Sequence, residues 1–318
     1  MTNQVDCAAY LEALRMEIDA ALERALPQNA PSIVLEAMRY GLLGGGKRLR
    51  PCLTLASAEA VAARDGRDAT HARALALPAA CAVEFVHSYS LIHDDLPAMD
   101  DDALRRGRPT THVVYGDGMA VLAGDGLLTE AFGLLSHGAA RVHAASAPIA
   151  MPERRLHALG VLAEAAGALG MVGGQAIDLV AAGRVISRAP EPLTASDLHD
   201  MHTRKTGALI RAAATMGAIL ADADESTMAA IDRYAAELGL AFQIIDDILD
   251  VEGSAAELGK TAGKDANAGK PTYPALFGLD ECRRLAAECV ARAKLALSAA
   301  SLGGRLGDIA DWSLGRRH

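Results

Sequence analysis

Apolar residues recur along this chain at three- and four-residue spacing, broken at intervals by short turn-rich segments. The pattern predicts helices over 5–26, 32–43, 48–64, 70–97, 117–139, 152–182, 195–221, 225–250 and 275–300. The connections carry turn residues at Pro27 to Pro31, Gly44 to Gly46, Arg64 to Asp68, Arg106 to Pro109, Ala189 to Pro192 and the Gly/Lys-rich 253–271. Few Val-, Thr- or aromatic-rich runs alternate with strand period. No composition shift, repeat or low-complexity tail divides the chain. The expectation is one all-α domain over 1–318, a helical bundle around a central cavity.

Composition narrows the chemistry. Hydrophobic residues make up 51% of the 318 and aromatic residues only 3%, so the core is aliphatic. The formal net charge of −9 argues against a nucleic-acid partner, which would need a basic face. A diphosphate remains compatible where metal ions and local Lys/Arg reverse the field. Five cysteines (Cys7, Cys52, Cys81, Cys282, Cys289) share no CxxC or CxxH spacing and read as reduced thiols. The first helix mixes acids with apolar residues, unlike a signal or transit peptide. No apolar run approaches the roughly 20 residues that span a bilayer. A cytoplasmic protein is expected.

Two aspartate clusters stand inside apolar stretches, their first members 152 residues apart (246 − 94). In the second, Asp246 and Asp250 share a helix face, with Asp247 alongside and Gln243 one turn earlier. The intervening Ile244, Ile245, Ile248 and Leu249 argue against a merely solvated acidic face. The first cluster, Asp94, Asp95 and Asp100 running on into Asp101 and Asp102, does not fit a straight helix. Six residues separate Asp94 from Asp100, and Pro97 removes a backbone donor between them. A bulge or loosened helix end is needed to bring Asp100 back beside Asp94. Crowded, partly buried carboxylates repel one another and call for a cation; Mg²⁺ suits hard oxygen ligands and substrate phosphates. His93 reads as a hydrogen-bonded neighbour rather than a ligand.

Cations complement the acids. Gly44-Gly45-Gly46-Lys47-Arg48-Leu49-Arg50-Pro51 places Lys47 and Arg50 at a helix start, which suits an anion, although the segment is no P-loop. Arg105 and Arg106 follow the first cluster, and guanidinium forks match phosphate oxygens. Lys205-Thr206 and the loop lysines Lys260, Lys264 and Lys270 add charge near both clusters. His87, two turns before Asp94, is either a buried structural histidine or a phosphate contact.

These residues resemble the trans-isoprenyl diphosphate synthases, with a close likeness to the bacterial farnesyl subgroup. The resemblance is carried by GGGKRLRP (44–51), VEFVHSYSLIHDDLPAMDDDALRRG (83–107), GMVGGQAIDL (170–179), HTRKTGALI (202–210), LAFQIIDDILDV (240–251) and GKPTYPAL (269–276). It implies a single domain of about ten core helices, usually a homodimer. It implies Mg²⁺, by analogy three ions, held by Asp94, Asp100 and Asp246 with Asp95, Asp247 and Asp250. Arg105, Lys205, Lys260 and Lys270 would clamp the allylic diphosphate, dimethylallyl or geranyl. Lys47, Arg50, His87 and Arg106 would hold isopentenyl diphosphate, and Thr206 and Gln243 would face the carbocation. Tyr89 and Ser90 resemble the pattern that stops the product at farnesyl (C15). C10 and C20 synthases are the near alternatives. A terpene cyclase would not need Lys47, Arg50 and Arg106, and a non-catalytic subunit could lose an acidic motif that this chain keeps.

Overall fold

The computed structural model describes residues 2–137, 139–142, 148–187, 189, 193–252 and 272–316. Helices form nearly all of it: α1 (Thr2–Ala25), α2 (Ser32–Leu42), α3 (Leu49–Arg64), α4 (Ala69–Asp94), α5 (Thr111–Tyr115), α6 (Asp117–Ser136), α7 (Ala139–Val142), α8 (Pro152–Ala166), α9 (Met171–Ala181), α10 (Ala195–His202), α11 (Ala208–Leu220), α12 (Glu225–Glu252), α13 (Tyr273–Phe277), α14 (Leu279–Ala299) and α15 (Leu306–Leu314). The all-α expectation holds. The strands among the described residues are a two-residue pair, β1 (Leu104–Arg105) and β2 (Arg108–Pro109).

Helix α4 runs through the middle because its sequence is apolar all round. Its Ala-rich stretch from Ala76 to Val86 is buried, and α3, α6 and α11 pack against it. Asp68 caps the start by accepting from the Thr70 amide. Small residues allow the tight crossings: a Cβ on Gly217 of α11 would stand 2.1 Å from the Thr54 carbonyl oxygen of α3. Helix α12 packs along α14 and α11, presenting the second aspartate cluster to the space beside α4.

Among the described residues three stretches, 69–94, 117–136 and 152–181, are long and apolar enough by length and composition to cross a membrane, where the sequence reading expects none. In the first, 78% of the apolar window is buried inside the protein, so its apolarity fills the core. The other two windows are only 39% and 33% buried, leaving apolar side chains on the surface.

The departures from the predicted helices have local causes. The 70–97 segment ends at Asp94, ahead of Pro97. The 152–182 segment breaks between α8 and α9 around Gly167 and Gly170. The 195–221 segment contains one widened, π-helical turn, Thr203–Gly207, where α9 presses in: a Cβ on Gly174 would lie 2.3 Å from the Lys205 amide nitrogen. Such turns often mark functional sites.

Candidate active site

The helix end at Asp94 builds the first acidic motif. After α4 stops, the chain folds back so that the Asp100 amide donates to the Asp94 carbonyl at 2.8 Å and the Asp102 amide to the Asp95 carbonyl at 3.1 Å. Asp101 takes a left-handed φ of 54° to complete the reversal. The loosened end required by six-residue spacing is therefore present, with Asp100 returned beside Asp94. Burial and then the charge of Asp100 push the Asp94 carboxyl up to about 6, against the opposing pull of Lys205.

Asp95 faces the other way. Arg105 clamps it through Nη2 at 2.6 Å and Nε at 2.9 Å. The Arg105 position comes from the β1–β2 hairpin, whose turn residues Arg106 and Gly107 both have positive φ, 53° and 73°. That hairpin sends Arg106 back onto the carbonyl of Gly45. Gly46 makes the approach possible, since a Cβ there would stand 2.6 Å from an Arg106 Nη atom and its φ is 131°.

The second motif divides its labour along α12. Asp246 and Asp250 line the cavity, whereas Asp247 accepts from Gln243 Nε2 at 2.7 Å and from the Tyr273 amide at 2.9 Å. Gln243 in turn accepts from the Thr206 hydroxyl at 3.0 Å. This relay fixes the π-helical turn against α12. Lys205, on the same turn, donates to Asp178 at 2.5 Å.

Two adjoining cavities result. A polar one of about 540 Å³ is lined by Lys47, Arg50, His87, Arg105, Arg106, Asp246 and Asp250 among others. A more apolar one of about 360 Å³ is lined by Tyr89, Ser90, Asp94, Met99, Met171, Leu179 and Lys205 among others. Arg50, His87, Leu91 and Thr206 belong to both, so the cavities meet there. Arg50 Nε is buried without a hydrogen-bond partner. A buried guanidinium with an orphaned donor is costly unless an anion completes it. Burial pushes Arg50 and Arg106 down from their usual range, and burial with Arg316 does the same to Lys47. The pocket is built for negative charge.

His87 sits among these cations. Burial first, then Arg50, Arg106 and Arg105, hold its imidazole well below the usual histidine range, so it is neutral at pH 7. Its folded value lies below the unfolded 6.5, so the unfolded chain takes the proton first and the fold loses stability as pH falls below about 6.5. His87→Gln is expected to flatten that acid slope in urea unfolding between pH 6.5 and 5, and an unchanged slope would contradict this reading.

The polyprenyl synthetase family profile matches residues 31–297. Farnesyl diphosphate synthase of Escherichia coli is 46% identical over 298 residues, covering 92% of both chains. Geranylgeranyl pyrophosphate synthase 3 of Arabidopsis thaliana, described as chloroplastic, is also 46% identical, over 281 residues, 88% of this chain and 73% of that one. The crystal structure of a Helicobacter pylori geranyltransferase, described as complexed with magnesium and isoprenyl diphosphate, superposes with a TM-score of 0.78 at 29% identity, covering 96% of each chain.

The chain belongs to the polyprenyl synthetase family. It is a trans-prenyl diphosphate synthase, and relatives of equal identity carry both farnesyl and geranylgeranyl names. The synthase places Lys47, Arg50, His87, Arg105, Arg106, Thr206, Asp246 and Asp250 on one cavity and Tyr89, Ser90, Asp94 and Lys205 on the other. Lys260 and Lys270 lie outside the described residues.

Sequence reasoning missed several supports of this site. Arg48, in the middle of the 44–51 motif, is buried and pairs with Glu84 at 2.7 Å and Asp19 at 2.8 Å while donating to the Leu42 carbonyl. It anchors the glycine loop that carries Lys47 and Arg50. Asp178 holds Lys205, and Gln175 lines the apolar cavity with both amide atoms buried and unpartnered. Both stand in the 170–179 motif, which the sequence reading matched without assigning roles. Arg316, in a basic tail that the sequence reading noted without naming a partner, reaches into the polar cavity, pairing with Asp246 at 2.9 Å and lying 3.7 Å over the Phe242 ring.

Proposed function

We propose that the synthase condenses isopentenyl diphosphate with dimethylallyl and then geranyl diphosphate to make (2E,6E)-farnesyl diphosphate, with Mg²⁺. The carrying observation is the joining of the two cavities at Arg50, His87, Leu91 and Thr206, one walled by cations and the other apolar with Asp94 at its edge. A five-carbon diphosphate in the first would meet an allylic chain end in the second.

The donor set fits Mg²⁺. Among the described residues no three His, Cys, Asp or Glu side chains stand close enough to hold a metal by themselves. Mg²⁺ does not need such a cage, because one or two carboxylates with waters and substrate phosphates suffice. Asp94 and Asp100 on one side and Asp246 and Asp250 on the other would hold it, while Asp95 and Asp247 orient Arg105 and Gln243. When bound there, Mg²⁺ would supply Lewis-acid charge neutralisation to an allylic diphosphate. Lys205 and Arg105 add positive charge at that leaving group. The Thr206 hydroxyl and the Gln243 amide present dipoles rather than a strong nucleophile to the carbocation, which leaves it for the isopentenyl double bond. Arg50, Arg106, Lys47 and neutral His87 orient the isopentenyl diphosphate. The proton lost in closing the new double bond passes to the departing diphosphate.

Farnesyl length rests on Tyr89, a buried ring with Ser90 beside it, set about one and a half turns down α4 from Asp94. Tyr89→Ala is expected to shift the products towards C20, and unchanged chain lengths would remove Tyr89 from this role. The synthase is further proposed to be a homodimer. Its support is the exposed apolar set Val113, Val114, Val121 and Leu122 on α5 and α6, and light scattering at micromolar concentration tests it. A cytoplasmic location accords with five cysteines that are all buried and unpaired. Incubation with Mg²⁺, isopentenyl and dimethylallyl diphosphates, followed by chain-length analysis, tests the whole reading. Farnesyl diphosphate as the main product supports it. C20 as the main product would reassign the length, and no diphosphate release would overturn the activity.

A further inference from the structure

Behind Tyr89 stands a second ring that the sequence reading left as a bystander. His93 follows Tyr89 by one turn of α4, and the rings meet edge to face, centroids 5.6 Å apart and planes at 83°. Both line the apolar cavity. On its other side the imidazole points its Nε2 edge at α6. Nε2–H donates to the Val121 carbonyl at 3.1 Å. The ring covers Gly124 so closely that a Cβ there would stand 2.1 Å from Nε2 and 2.4 Å from Cδ2. Gly124 is buried in the interior of α6, where glycine is a poor helix former. Its place there is explained by the ring it admits.

We propose that His93 is a specificity-determining positioning residue: wedged between the Gly124 notch and Tyr89, it fixes how far the growing prenyl chain can extend. This rests on the reading that the apolar cavity receives that chain. The tyrosine ring turns on two side-chain torsions, and a floor made of one such ring is only as firm as what backs it. Taking the imidazole away leaves a ring-sized space into which Tyr89 can swing, so the cavity deepens. Adding a methyl group at Gly124 drives the imidazole off α6 and into the cavity, so the floor rises. The two changes act on the same ring and have opposite signs.

The test is the product distribution from isopentenyl and dimethylallyl diphosphates with Mg²⁺, read by extraction and chromatography, with thermal melting of each variant. Turnover is recorded for each variant at one fixed substrate ratio, because His93 adjoins Asp94 and slower elongation shortens products, whereas loss of the imidazole is expected to lengthen them. His93→Ala is expected to move the main product up by one five-carbon unit, and Gly124→Ala to move it down by one. The double variant should follow His93→Ala, because the added methyl then has no ring to push. A packing role alone would lower the melting temperature without moving the distribution. A wild-type distribution from His93→Ala, or a shift of both single variants in the same direction, overturns the proposal. If Gly124→Ala does not fold, His93→Ala decides alone. Wild-type enzyme that forms no prenyl product would overturn the functional reading and this inference with it. Normal wild-type products with unshifted variants would overturn this inference only.

Discussion

Asp94→Asn is expected to lower turnover roughly 10³-fold while raising the melting temperature of the metal-free protein. The two effects share one cause. The Asp94 carboxyl is pushed up to about 6 by burial and by Asp100, so in the fold its charged form is disfavoured. The folded value lies above the unfolded 3.8, so this cost is present in full above about pH 6 and is relieved as the pH falls towards 3.8. At roughly 1.4 kcal/mol per pH unit, the charge at pH 7 costs about 3 kcal/mol. Asparagine keeps the shape and removes the charge. A gain of several degrees should appear by calorimetry without metal at pH 7 and vanish near pH 4. Near-normal turnover would defeat the metal-holding role of Asp94, and an unchanged melting temperature would defeat the electrostatic account of its burial.

Arg50→Met is expected to raise KM for isopentenyl diphosphate about 10- to 100-fold, with the allylic KM little changed. Arg50 Nε is buried and unpartnered, and the carboxylates whose charge acts on it, Glu84 and Asp246, are engaged with Arg48 and Arg316. A charge-assisted hydrogen bond is worth about 1.5–3 kcal/mol, and each 1.4 kcal/mol is about tenfold in affinity. Methionine fills similar space without the charge, so the ligand-free protein should be no less stable than wild type. A loss confined to the allylic substrate would reassign the cationic cavity.

The sequence made the helical fold and the acidic motifs legible because both follow local rules. Apolar periodicity marks helices, and Asp246 and Asp250 share a face by spacing alone. The six-residue gap with Pro97 also predicted a bulge or a loosened helix end, and α4 ends at Asp94. Contacts made over long separations were not legible. No local rule links Arg316 to Asp246, Arg48 to Glu84 or Lys205 to Asp178, because each pairing is decided by how helices pack. The same limit explains why the sequence did not separate Asp95 and Asp247 from Asp250. Which carboxylate faces the cavity depends on partners supplied by the β1–β2 hairpin and by Tyr273. Gly124 gave a signal, a glycine inside a strong helix pattern, but only the fold reveals the ring above it.

In the proposed reaction the two aspartate motifs act together to hold Mg²⁺ on an allylic diphosphate. This joint action is tested most directly by calorimetric titration of Mg²⁺ into protein saturated with a non-ionising thio-linked dimethylallyl diphosphate. Wild-type protein should take up Mg²⁺ saturably, and Asp94→Asn and Asp246→Asn should each abolish most of that uptake. Equal Mg²⁺ uptake by wild type and both variants would contradict the account.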